Sequence, residues 1–355
     1  MIYLDTETRS PANIKAGLGR YAEQVQVLLL AYAVDEAPVQ VWDTRDPMPQ
    51  DLYHALVAGH HLCAHNAPFD QRVLRATGLL GRFYIGMDRW ICTEAQALAH
   101  SLPGKLSGLA QALGVVNKYD GKKLIRLFQT HTPESRPVEW EQFKQYAAQD
   151  VEVMRACVAK MPRWNYPGSH WPNTPGQEYL HWLHLWQINA RGMGVDRAFA
   201  QAAVLLDSSN RDWMNAQVHD LTQGAVHAAT QRDALLEYLQ DLHLPDLTKQ
   251  TVQHALARKD LTPKQRELLE LRFQSAQNTA AKYRAMLDAV STDGRFRFGL
   301  RYCGAATTGR DTGRIFQPQN LKRPKLKAKE VAQAIRQITQ GRPITASGGV
   351  ADILG

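Results

Sequence analysis

The sequence predicts a mixed α/β domain followed by a mostly helical region. Three observations carry this. Over the first ~160 residues, short apolar runs bounded by turn residues alternate with helical periodicities, the mark of a sheet with helices packed on it. Residues 163–177 (RWNYPGSHWPNTPGQ) then lose all period and are rich in Pro, Gly, Asn and Trp, as a linker would be. Beyond them, one helical pattern follows another. A chain of 355 residues is long enough for two or three such domains, each with its own core.

Residues 2–5 form an apolar strand running into Asp5-Thr-Glu7-Thr, and residues 25–34 (VQVLLLAYAV) are apolar enough for a buried central strand. After a turn at DEAP, residues 39–44 give a third strand. Residues 60–64 give a fourth, followed by the loop HNAPF and a helix from about Asp70. Residues 89–92 give a fifth, with a helix opening at Thr93. Helices at 106–113, 122–128 and 140–160 complete a domain placed at 1–163, with the linker at 164–177. Helices at 178–189, 196–221, 233–242, 251–258 and 263–290 make up a region placed at 178–292. The first of these stops at Arg191-Gly-Met-Gly194. Residues 294–302 (GRFRFGLRY) alternate like a strand and open a last, basic segment, 293–355.

Composition narrows the function classes. The sequence has no run of ~18 apolar residues that would suggest a membrane span. Its opening MIYLDTETRS lacks the basic start and apolar stretch of a signal peptide, so a cytoplasmic protein is expected. Cys63, Cys92, Cys157 and Cys303 are widely spaced and form no CxxC pair, which argues against a zinc site or a disulfide framework. The net charge of +8 is concentrated. Residues 301–355 hold ten Lys and Arg against three Asp and Glu, leaving about +1 for everything before. A basic segment of this kind is the electrostatic footprint of phosphate contact.

Three signals carry chemistry. On a strand, Asp5 and Glu7 point to the same face. Two carboxylates about 6–7 Å apart on one face are a poor structural choice without a cation between them. Asn66-Ala-Pro-Phe-Asp70 lies just past the end of a strand, where open α/β sheets place their ligands, although Asp70 could simply cap a helix. Tyr146-Ala-Ala-Gln-Asp150 lies within a helix, where i, i+4 spacing puts phenol and carboxylate on one face. Hard divalent cations take oxygen ligands, so a carboxylate set of this kind suits Mg²⁺ or Mn²⁺.

Other candidates are weaker. Gly104-Lys105 does not complete a phosphate-binding loop. Strand alternation splits His60, His61, Cys63 and His65 across two faces, against a metal site. Residues 102–113 with Lys122 and Lys123 are candidates for binding terminal nucleotides, the plainer reading being an ordinary helix and solvated lysines.

Taken in order, D-x-E on the first strand, N-x-x-F-D after the fourth and Y-x-x-x-D on a late helix resemble the DEDD 3′→5′ exonuclease superfamily. The resemblance is to the subgroup whose extra residue is Tyr; the alternative His position is Gln145 here. It implies a ribonuclease H-like fold and hydrolysis of 3′-terminal phosphodiesters with two divalent ions, Mg²⁺ or Mn²⁺, about 3.5–4 Å apart. On matching positions it implies that Asp5 bridges both ions, that Glu7 and Asp150 hold the one activating water, and that Asp70 supports the second. Tyr146 would position that water and the scissile phosphate, with Thr6, Asn66 and Phe69 beside the substrate.

The second half resembles family A DNA polymerases of the bacterial polymerase I and phage type. Residues 188–196 (INARGMGVD) resemble the start of the polymerase module, and the helices from Leu236 to Leu287 resemble its thumb. RYCGAATTGRDTGR and FQPQNLKRP resemble segments that contact the primer–template backbone, implying DNA contacts from Thr308, Arg310, Arg314, Gln319, Lys322 and Arg323. The family's polymerase carboxylates and fingers lysine lie downstream of these segments, and the sequence ends at Gly355 before them.

The expectation is therefore a proofreading exonuclease portion, in the cytoplasm of a bacterial host if phage-encoded. It would carry no polymerase activity alone, and a separate chain with palm and fingers is a candidate partner. The rivals are a stand-alone DEDD exoribonuclease, separated by DNA-versus-RNA preference, and a non-catalytic DNA-binding subunit of a split polymerase, against which the complete carboxylate set argues.

Overall fold

The structure, a computed structural model, describes residues 1–115, 121–161, 177–276, 280–320 and 326–341. The expected linker (apart from Gln177), Lys322, Arg323 and residues 342–355 lie outside them. The chain forms two compact units, Met1–Gly194 with Ala289–Gln319, and Val195–Asp288 with Asn320–Gly355. These units cut the chain differently from the expected division. Residues 178–194 and 289–319 group with the first domain, because their apolar side chains join its core.

In the first unit, β1 (Ile2–Arg9), β2 (Gln26–Val34), β3 (Gln40–Asp43), β4 (Leu62–Ala64) and β5 (Trp90–Cys92) form one sheet in the order β3-β2-β1-β4-β5. β1 pairs antiparallel with β2 and parallel with β4, and β5 is parallel to β4, giving the mixed five-stranded sheet expected. The continuous apolar run of β2 reflects burial on both faces. Leu30 and Tyr32 enter one core layer, Leu29, Ala31 and Ala33 the other.

α1 (Leu18–Ala22), α2 (Gln50–Val57), α3 (Ala67–Thr77), α4 (Thr93–Ala99), α5 (Leu106–Ala112), α6 (Lys122–Leu127) and α7 (Pro137–Lys160) cover the sheet. The helix expected from about Asp70 starts three residues earlier, at Ala67. Asn66 takes a left-handed turn (φ 72°), and Pro68 fits the first turn, where no backbone N–H is needed. Asp70 is thus inside the helix and buried, not its cap.

The layer with Ala31 is closed by α7. Its buried stripe includes Phe143, Tyr146, Ala147, Asp150 and Val151. Phe128 stacks on Phe143 (centroids 5.2 Å apart) and meets Trp140 edge-on at 4.9 Å. Asp43 at the end of β3 ties down the start of α7. It accepts from Trp140 Nε1 at 3.1 Å and from Arg45 Nε at 2.9 Å, and the Arg45 guanidinium lies over the Trp140 ring.

Burial acts to raise the Asp43 pKa, but the hydrogen bonds from Arg45 and Trp140 outweigh it and hold the carboxyl below its usual 3.8. Its stabilisation is therefore complete above that value and lost as pH falls through the lowered folded-state value. Asp43→Asn should cost about 1.5–3 kcal/mol near neutral pH. The gap to the wild type should narrow below about pH 4, read by urea unfolding across pH.

α8 (Gln177–Arg191) places Tyr179, Trp182, Leu185 and Trp186 in the other core layer, Trp186 lying edge-on to Trp90 at 6.5 Å. Gly192, at φ 66°, ends the helix as expected. The run 294–302 is not one strand. Phe298 adopts a positive φ of 58° and divides it. β6 (Met193–Gly194) pairs with β7 (Arg295–Phe296), and β8 (Leu300–Arg301) pairs with β9 (Thr312–Gly313).

The second unit is helical: α9 (Arg197–Leu221), α10 (Arg232–Tyr238), α11 (Lys249–Leu256), α12 (Pro263–Ser275), α13 (Ala281–Ala289) and α14 (Ala328–Thr339). Asp196 caps α9, accepting from Phe199 N at 2.9 Å. Thr262 and Gln265 form a capping box at α12, with Pro263 in its first turn. The helix expected over 263–290 is described as two, α12 and α13. Buried Asp207 accepts from Arg211 at 2.9 Å and Arg284 at 3.2 Å, joining α9 to α13. Among the described residues no helix is long and apolar enough to cross a membrane.

Candidate metal centre

β1 and α7 bring the predicted acidic residues together. Asp5 stands opposite Ala31 and Glu7 opposite Leu29, so both face the layer that α7 covers. Asp150 comes to them from α7. One carboxylate oxygen from each of Asp5, Glu7 and Asp150 lies within 4.8 Å of the others. Glu7 and Asp150 are 7% and 5% exposed, so water offers little screening of their mutual repulsion. Three carboxylates this close require protons or a cation. The donor set is all oxygen, which fits a hard divalent ion and no soft one. Asp5, Glu7 and Asp150 are the residues that would hold it.

Tyr146, one turn before Asp150, hydrogen-bonds that carboxylate. Burial pushes its phenol pKa far up, and the charges of Asp150, Glu7 and Asp5 push it further. The phenol is therefore neutral at physiological pH and donates its proton to the acidic cluster. Its ring is clamped. Phe143 runs nearly parallel on one side, 8° between planes, while Gly121 touches it from the start of α6.

A Cβ at Gly121 would stand 2.3 Å from Tyr146 Cε2. The Gly121 backbone (φ −80°, ψ 3°) suits any residue, so substitution there isolates the clash with the ring. If Tyr146 acts in catalysis, Gly121→Ala should lower turnover roughly 10–100-fold through displacement of the phenol. KM should hardly change, while displacing the buried ring should cost about 1–3 kcal/mol of stability. Steady-state kinetics beside a melting curve check this.

Asp70 comes from the first turn of α3, just past the carboxyl end of β4. Thr6 points away from its neighbours Asp5 and Glu7, and its backbone N and Oγ1 donate to Asp70 Oδ1 at 3.1 and 2.7 Å. The carboxyl is 1% exposed. Burial raises its pKa to about 7 even though the two Thr6 hydrogen bonds favour the charged form. Three of the four expected carboxylates thus share one cluster. The fourth, Asp70, is held by Thr6, the residue between Asp5 and Glu7 on β1.

Asn66 and Phe69 line a cavity of about 470 Å³ in the same unit. Other walls come from Glu94, α8 and the segment 298–315. Thr308, Arg310, Arg314 and Gln319 are exposed and gather at the β8–β9 hairpin and the turn after it. Gly309 (φ 64°) supplies the left-handed residue of the hairpin loop. Gly313 lets the Gln319 amide approach so closely that a Cβ would meet it at 2.5 Å.

Of the weaker candidates, His65 engages Thr93 Oγ1 at 2.8 Å and Gly104 O at 2.9 Å, tying the Gly104-Lys105 loop to the end of β4. Cys63, Cys92 and Cys157 are free, buried thiols, and Cys303 is free and half-buried. Sequence reasoning missed Gly121, which precedes two lysines and carries no local signal. It also missed the part played by Trp182 and Trp186, although their i, i+4 spacing on a helix was visible.

No protein-family model matches the sequence. A DNA polymerase of Bacillus phage SP02 is 30% identical across an alignment of 355 residues, covering 93% of this chain and 52% of that protein. The chain thus spans about half the length of this relative. Among solved structures, the POL domain of Pol1 from M. smegmatis, in complex with DNA primer-template and dNTP, matches with a TM-score of 0.53 and 14% identity. That match covers 92% of this chain and 53% of the other, and it is a likeness of fold.

Proposed function

We propose that the chain is part of a DNA polymerase of family A and that its first unit is a 3′→5′ exonuclease that trims DNA ends. The observation that carries this reading is the cluster of Asp5, Glu7 and Asp150 with the Tyr146 phenol set against it. Asp5, Glu7 and Asp150 would hold a divalent ion, Mg²⁺ or Mn²⁺, and Asp70, steadied by Thr6, would support a second. When bound, such ions would supply a lowered pKa for water and charge compensation at the departing 3′ oxygen. Tyr146, kept neutral by burial and by the surrounding carboxylates, orients the attacking water or a phosphate oxygen through its O–H. Asn66 and Phe69 lie close in sequence to Asp70 and hold the terminal nucleotide by amide contact and stacking.

Backbone contact falls to Thr308, Arg310, Arg314 and Gln319, continued by Lys322 and Arg323. Such contacts position a strand without reading its bases. The product is a nucleoside monophosphate, and the role is proofreading beside a polymerase centre in the cytoplasm of a bacterial host. With Mg²⁺, a 5′-labelled DNA strand should shorten stepwise from its 3′ end, fastest when single-stranded or frayed. Strong preference for RNA of the same sequence, or no Mg²⁺-dependent shortening, would overturn the reading.

A further inference from the structure

The loop between β8 and β9 carries Thr308 and Arg310, and side chains of α8 hold it from one side. Glu178 and His181 lie three residues apart on α8, one turn along the same face. Glu178 accepts a hydrogen bond from Tyr302 OH, and His181 Nε2 pairs with Asp311 Oδ2 at 2.9 Å. The other Asp311 oxygen, Oδ1, accepts from Cys303 N at 3.1 Å. One carboxylate thus closes the loop across its two ends and ties it to a helix 130 positions earlier in the chain.

The loop needs such a hold. The β8–β9 ladder has only two residue pairs, Leu300–Gly313 and Arg301–Thr312, so it aims the loop weakly. Cys303 adopts a positive φ of 45°, a conformation that a non-glycine residue keeps only where its surroundings enforce it. Inside the loop, Ala305 O accepts from Gly309 N at 2.8 Å and Ala305 N donates to Arg310 O at 3.0 Å. These bonds shape the turn without fixing its direction. Arg310 itself is exposed, and among the described residues it forms no ion pair.

An acid beside a phosphate-contacting arginine is a poor choice for a contact residue, because it repels the strand. Asp311 makes sense there if its charge is spent on the loop. We propose that His181 and Asp311 are positioning residues, a pair that aims the β8–β9 loop so that Arg310 meets a DNA phosphate. This rests on the reading of Arg310 as a backbone contact, and it gives α8 a part in DNA binding. The pair is partly exposed, 49% at His181 and 24% at Asp311, and such pairs add little to stability. Its removal can therefore be read on binding in a folded protein.

The test is a double-mutant cycle on binding of a fluorescein-labelled primer–template duplex to the full chain, followed by anisotropy over a range of salt. Chelator is present, so no strand is shortened. Arg310→Ala is expected to weaken binding about tenfold, the worth of one charge-assisted contact. It should also lower the slope of log affinity against log salt by about 0.9, the share of one phosphate. His181→Ala should weaken binding about three- to fivefold, and Asp311→Ala at least as much. In the Arg310→Ala background, His181→Ala should change affinity by less than about 1.5-fold, because the group it aims has gone. His181→Gln keeps an N–H for Asp311 and should restore most of the loss.

An equal loss from His181→Ala in both backgrounds would reduce the pair to a general effect and overturn the assignment. Wild-type affinity in both His181→Ala and Asp311→Ala, with Arg310→Ala weakened, would overturn it as well. If Arg310→Ala alone binds as tightly as the wild type, the backbone-contact reading falls and the positioning role falls with it. That outcome needs no α8 variant, so the two failures are told apart. His181→Ala sits on an exposed helix face and remains informative should Asp311→Ala fail to fold.

Discussion

Asp5→Ala is expected to reduce Mg²⁺-dependent shortening of a DNA strand by at least about a thousandfold. Losing an outer-shell partner of a metal ligand typically costs about 10–100-fold, and loss of the ligand itself exceeds that. Asp5 is the most accessible member of the acidic trio, half-buried where Glu7 and Asp150 are buried, and lies opposite the small residue Ala31. Its removal takes away one of three oxygen donors grouped within 4.8 Å.

The fold should tolerate the change, because Asp5 is only half-buried and its carboxylate lies within 4.8 Å of two others. Thermal stability without divalent ions should stay level or rise slightly, while the stabilisation produced by Mn²⁺ should shrink. Gel assays of strand shortening and melting curves with and without Mn²⁺ read the two effects. Activity unchanged in Asp5→Ala would show that the nuclease came from elsewhere and remove the basis of the proposed function.

Trp90→Ala is expected to destabilise the first unit by about 3–5 kcal/mol, the range for deleting a large buried aromatic side chain. Trp90 is fully buried on β5, and its indole donates to Ile85 O at 3.3 Å. Its ring also meets Trp186 of α8 edge-on. The substitution therefore empties the layer that joins α8 to the sheet, and the space is too large for neighbours to fill. Chemical denaturation should show the lower stability, and limited proteolysis should cut α8 earlier than α7. Equal protection of α8 in the variant would contradict its assignment to this core.

The sequence by itself determined the sheet and the identity of the acidic residues. Period-two patterns, the continuous apolar run of β2 and the i, i+4 pair Tyr146–Asp150 are local signals, because strand and helix geometry fix which neighbours share a face. The start of α3 was misplaced by three residues, since a left-handed Asn followed by Ala-Pro leaves little local trace of a helix beginning. The broken strand at Phe298 went unseen because alternation says nothing about one positive φ.

Only the tertiary structure decided the matters of distance. It divided the four carboxylates into a trio and an Asp70–Thr6 pair, set Gly121 against the Tyr146 ring, and joined α8 and residues 289–319 to the first core. It also placed Trp186 and Arg301 on one cavity, 115 positions apart in the sequence. These are contacts between residues far apart along the chain. They follow from how faces pack, and no short window of sequence contains both partners.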